Sequence, residues 1–103
     1  MTQFKGTPGP WRVNTIGEHW NNPALVHLEV TFGTDGECIC DTVYRREDAD
    51  LIAAAPELLE ALWELVNEYE SIVTHEFGSS ALDVDPDYIR AKAAIAKATG
   101  ETK

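Results

Sequence analysis

Between Tyr44 and Leu51 the hydrophobic repeat of this chain changes period, and that change limits the folds open to it. Upstream, large apolar and polar residues alternate, as they do on strands with one covered face. Trp11-Arg12-Val13-Asn14-Thr15-Ile16 predicts a first strand, with Trp11, Val13 and Thr15 on one face. Gly17–Pro23 reads as a polar loop holding His19 and Trp20. Ala24–Phe32 predicts a second strand, rich in β-branched residues. Val26, Leu28, Val30 and Phe32 share one of its faces; Leu25, His27, Glu29 and Thr31 share the other. Gly33-Thr34-Asp35-Gly36 supplies a hairpin turn. Glu37–Tyr44 follows as a third strand, Cys38, Cys40, Thr42 and Tyr44 alternating against Ile39, Asp41 and Val43. Three consecutive strands joined this way form an antiparallel meander.

Downstream the apolar residues Leu51, Ile52, Ala55, Leu58, Leu59, Leu62, Leu65, Val66, Tyr69, Ile72 and Val73 fall at helical spacing. Asp48 is the expected N-cap, and Glu47, Asp48 and Asp50 suit the positive end of a helix. Pro56 either kinks one long helix or opens a second after a short one. Asp85-Pro86 starts a last helix, alanine-rich, which Gly100 stops. The expected fold is α+β: a three-stranded meander packed on a long Pro-interrupted helix and a C-terminal helix. Residues 1–103 are expected to be one domain, with a tail and turn (1–9), the meander (10–44), a helical segment (47–74), a loop (75–84) and the final helix (85–100).

Composition narrows the function classes. No stretch approaches the roughly 20 apolar residues of a membrane span, and the first residues lack the apolar run of a signal peptide. The formal net charge is −10, and no Lys or Arg lies between Glu47 and Tyr88. Such a surface repels long nucleic acids and attracts basic protein surfaces. Glu57, Glu60, Glu64 and Glu68 form a stripe along the long helix. The chain has no G-x-S-x-G, P-loop, G-x-G-x-x-G, CxxC or HExxH. An enzyme is therefore not expected, nor a cofactor. Cys38 and Cys40 read as small half-buried side chains, and a metal set built from them with His27 is not expected.

The turn Thr7-Pro8-Gly9-Pro10-Trp11 and the run from Asp48 to Leu62, reading LIAAAPELLEAL over Leu51–Leu62, resemble a family of small bacteriophage and prophage proteins. The ending Ala93–Gly100 continues the likeness weakly. The resemblance implies a protein of the bacterial host's cytoplasm. It also suggests the work of small phage proteins that blunt host defence, some by sequestering a cyclic oligonucleotide or cyclic ADP-ribose signal, others by binding a host effector.

The residues add a binding set to that expectation. Aromatics stack on bases and Arg forks grip phosphates. Trp11, Arg12, Trp20, Arg45 and Arg46 all fall in the β part and are the expected contacts for a small nucleotide at a subunit interface. A homo-oligomer is expected, with the alanines of the last helix suited to helix–helix contact. The alternative is an acidic inhibitor that meets a basic host protein through Glu57, Glu60, Glu64 and Glu68.

Overall fold

The computed structural model describes residues 6–19 and 22–101, with side chains placed for 6–17 and 26–101. Three strands form one antiparallel sheet in the order β1 (Trp11–His19), β2 (Asn22–Phe32), β3 (Glu37–Val43). Helix α1 (Arg46–Phe77) follows, then a 3-10 segment (Ser79–Val84) and helix α2 (Pro86–Ala98). The α+β fold with a meander sheet is the one the sequence predicts. The chain divides into two compact units, Thr7–Glu57 and a second built from Leu58 onward.

In the first unit, Trp11 pairs with Phe32 and Val13 with Val30 across β1 and β2. Leu28 and Val30 are fully covered, as their place on the central strand requires. Thr31 is equally buried, and its hydroxyl accepts from Asn14 Nδ2 at 2.7 Å, which satisfies a polar group that water cannot reach. The turn before β1 is tied by the Trp11 indole N–H, which donates to the Thr7 carbonyl at 3.2 Å. The Gly9–Pro10 peptide is cis. Gly9 lies so close to α1 that an added Cβ would stand 3.2 Å from Cβ of Pro56. The two segments that carry the family resemblance therefore touch.

Several expected boundaries move. The Gly17–Pro23 loop is mostly strand, because β1 continues to His19 and β2 begins at Asn22. An extra residue in β1, between Thr15 and Gly17, lets the pairing continue past the glycine. The strict alternation expected of β3 also fails. Leu28 pairs with Val43, Val30 with Cys40 and Thr31 with Cys38, so β3 carries two extra residues. Cys38 is consequently exposed while Cys40 is half-buried. One of these bulges holds Thr42 at φ 63, a left-handed conformation that is uncommon for a β-branched residue.

Helix α1 runs unbroken through Pro56, which settles the choice between one helix and two. It begins at Arg46, so Asp48 sits inside the first turn and is not the N-cap. There its carboxylate still favours the positive helix end. At the other end α1 continues to Phe77, and the expected 75–84 loop is a last helical turn, Gly78 and the 3-10 segment. No residue before Gly78, with φ 86, stops the helix. Asp85 caps α2 as predicted, accepting from the backbone N–H of Asp87 and Tyr88, with Pro86 at the first helical position. Among the described residues of the second unit, Val66, Leu82 and Ile95 are the buried apolar ones.

The apolar stripe of α1 is not one buried face. Ile52, Leu59 and Val73 are half-buried and Val66 buried, whereas Leu51, Leu58, Leu65 and Ile72 stay exposed.

Candidate functional site

The structure divides the five residues expected to bind a nucleotide. Trp11 opens β1 opposite Phe32, which stands opposite Glu37 at the start of β3. Arg45 and Arg46 follow the far end of β3, beyond Val43. Six residues of strand separate the ends, roughly 20 Å. Arg12 is occupied locally: its Nη2 donates to the Gly33 carbonyl at 2.5 Å and braces the hairpin. Trp20 lies outside the described residues. Arg46 reaches back to Asp50, Nε to Oδ1 at 3.3 Å, an exposed pair of little energetic weight.

Arg45 is the member with a cavity beside it. Where β3 passes into α1, Thr42, Val43, Tyr44 and Arg45 line a cleft of about 540 Å³ with Asp48, Leu51 and Ile52. That volume suits a small organic ligand. The Thr42 bulge shapes one wall, and strained backbone of this kind gathers at functional sites. The Tyr44 ring packs at a tilt against His27, centroids 5.9 Å apart. His27 Nε2 is shut off from solvent with no hydrogen-bond partner among the described residues. The cleft thus offers an aromatic ring, a guanidinium, a carboxylate and an apolar floor. Sequence reading leaves Tyr44 out of the binding set as a core anchor of the sheet and gives Asp48 only a capping role. Their signal is position, since they flank Arg45 at the one strand-to-helix junction.

The acidic stripe is built as expected from the helical repeat. Glu57, Glu60, Glu64 and Glu68 are all exposed. The ion pairs among the described residues are Arg46–Asp50, Arg90–Asp87 and Lys92–Glu70, so none of the four is neutralised there.

A separate polar cluster joins α1 to α2 within the second unit. The Tyr69 hydroxyl donates to Asp85 Oδ2, and the Tyr88 hydroxyl donates to Glu70 Oε2. Lys92 Nζ lies 3.5 Å from the same Glu70 oxygen. The bond to Tyr88, aided by Lys92, holds Glu70 below the usual carboxylate range. The bond to Glu70 pushes Tyr88 up to about 12. Asp85 is lowered by Tyr69 and by the backbone N–H groups it caps, and Tyr69 is raised in turn. These bonds fasten two helices.

His27 and the cysteines are not gathered into a metal set. Cys40 pairs with Val30 and Cys38 with Thr31, whereas His27 pairs with Gly17 and packs on Tyr44. No helix among the described residues is long and apolar enough to cross a membrane.

Small size, strong negative charge, a meander sheet and a cleft at its junction with a long helix define a small acidic α+β protein. Residues 1–102 match the family described as Salmonella phage P22 protein Y8K6, and the chain belongs to that phage protein family. Comparison with curated proteins and with solved structures gave no match.

Proposed function

We propose that this phage protein is a non-catalytic binder that captures a small nucleotide-type signal in the cleft between β3 and α1, within the cytoplasm of the bacterial host. The observation that carries the reading is the convergence of Tyr44, Arg45 and Asp48 around one cleft of ligand size. Each supplies a contact that a nucleotide needs. Tyr44 offers a ring face or edge to the base, Arg45 a forked donor to phosphate, and Asp48 an acceptor for sugar hydroxyls. The net charge of −10 works against long polyanions, while a single guanidinium in a cleft still serves one compact anion. Membership of a phage family supports a target in host defence, and a cyclic oligonucleotide or cyclic ADP-ribose is the ligand class tested first.

Calorimetry against a panel of these compounds tests the reading. Arg45→Ala is expected to weaken binding by a factor of about 10 or more, the cost of a lost charge-assisted hydrogen bond. Arg45 is exposed, so the melting temperature should hold. A folded Arg45→Ala protein that binds as tightly as the parent removes this cleft from consideration.

A second reading is favoured by the four unneutralised carboxylates of α1. A basic host protein docked on Glu60, Glu64 and Glu68 would bind with steep dependence on ionic strength. Replacing all three with Lys, with helix content checked by circular dichroism, should abolish low-salt capture of that partner. Retained capture by the charge-reversed protein refutes the acidic-face reading.

A further inference from the structure

Of the described residues that line the cleft between β3 and α1, only Arg45 is cationic and only Asp48 anionic. The first unit, Thr7–Glu57, holds three Lys or Arg side chains: Arg12, Arg45 and Arg46. Two of them are spent. Arg12 donates to the Gly33 carbonyl at the hairpin, and Arg46 pairs with Asp50. Arg45 has no carboxylate partner among the described residues. The Thr42 hydroxyl donates to Asp41 Oδ1 at 3.2 Å, so its proton is committed as well. Glu47, next to Asp48 in the first turn of α1, adds negative charge to the same helix end. The cleft therefore offers an anion one cationic fork, set among carboxylates.

Resting on the reading of this cleft as a nucleotide site, we propose that it takes a phosphodiester, so that its ligand is a cyclic oligonucleotide and not cyclic ADP-ribose. A phosphodiester carries one negative charge on two free oxygens, which a single guanidinium fork satisfies in full. A pyrophosphate carries two charges on neighbouring phosphorus atoms, and they enter a cleft together. Arg45 neutralises one of them. The other is left without a cationic partner and shares the cleft with Asp48, so its loss of hydration is not repaid. In a cyclic oligonucleotide a nucleoside separates each phosphate from the next. One phosphate enters the cleft while the others stay in solvent. The cleft is open enough for this, since Arg45 is exposed and Leu51 on its wall is 64% exposed. Tyr44, Leu51 and Ile52 are then left for the base and sugar of that one nucleotide unit.

Calorimetry of the full chain in buffer free of divalent cations compares cyclic di-AMP with cyclic ADP-ribose, which carry the same total charge but space it differently. Cyclic di-AMP is expected to bind more tightly by about tenfold or more, the scale of one charged group left unpaired. Cyclic AMP, with one adenine and one phosphodiester, controls for the number of bases and should also bind more tightly than cyclic ADP-ribose. Asp48→Asn keeps an acceptor oxygen for a sugar hydroxyl and removes only the charge. It should narrow the gap between cyclic di-AMP and cyclic ADP-ribose by about threefold, the effect of one partly exposed like charge. Asp48 is exposed, and circular dichroism checks that the variant keeps its helix content. Cyclic ADP-ribose that binds as tightly as either phosphodiester compound, and is lost in Arg45→Ala, overturns the proposal and leaves the cleft a nucleotide site. A gap that Asp48→Asn leaves unchanged also overturns it. Binding of none of the three compounds removes both the proposal and the reading on which it rests.

Discussion

Leu28→Ala is expected to cost about 2–5 kcal/mol of folding stability, the range for emptying a buried leucine site. Leu28 is 1% exposed, sits on the central strand and pairs with Thr15 on one side and Val43 on the other. The transfer free energy of the lost methyl groups and the cavity left behind add together. Small domains hold only about 5–15 kcal/mol in total, so this loss is a large fraction of it. Urea unfolding followed by far-ultraviolet circular dichroism should show a clear fall in midpoint. A midpoint that barely moves means that Leu28 is not a packed core residue. The same variant bears on the cleft, because Val43, the strand partner of Leu28, is one of its lining residues.

Alkaline pH is expected to loosen the second unit between about pH 10 and pH 12. Tyr88 ionises near its ordinary value of 10 when unfolded, but its bond to Glu70 pushes it up to about 12 when folded. Between these values the unfolded chain has released the proton that the folded chain keeps. Stability is fully present below pH 10 and declines as pH rises through 12. Glu70 gives the mirror image at acid pH. Its lowered pKa makes its contribution complete above the normal carboxylate range and lost as pH falls through the lowered value. Tyr88→Phe should shrink the alkaline decline, leaving the part that Tyr69, also raised, contributes, and cost about 1.5 kcal/mol at neutral pH, the scale of a hydrogen bond to a charged group. Thermal melts of both proteins from pH 4 to pH 12 check this. An alkaline decline that persists unchanged in Tyr88→Phe assigns it to another group.

The strands and helices were legible where one period runs unbroken. Alternation over Trp11–Ile16 and Leu25–Phe32 yields β1 and β2, and Asp85-Pro86 marks α2 because its capping chemistry is local. Alternation could not expose the bulges of β3. A bulge inserts a residue without changing which residue types are present, and Thr42 is an ordinary strand former. The end of α1 was legible only at Gly78, since His75, Glu76 and Phe77 give no stop. The apolar stripe of α1 does not reveal its buried part in the sequence, because eleven residues at helical spacing cover a wide arc. Only packing tells the inward strip of Val66 from the outward one of Leu65. The expected nucleotide set mixed two ends of one sheet, because residue type carries no information on distance. Arg12 and Arg45 look alike in a sequence, yet one braces a hairpin and the other borders a cleft.

The approach of Gly9 to Pro56 makes two distant stretches of sequence a single inherited object. An alanine at position 9 would force the proline ring to give by a few tenths of an ångström. Drift at the turn is therefore answerable to the helix, and drift at the helix to the turn. A recombination event that swapped the first ten or so codons between phage relatives would deliver an opening shaped for another protein's proline.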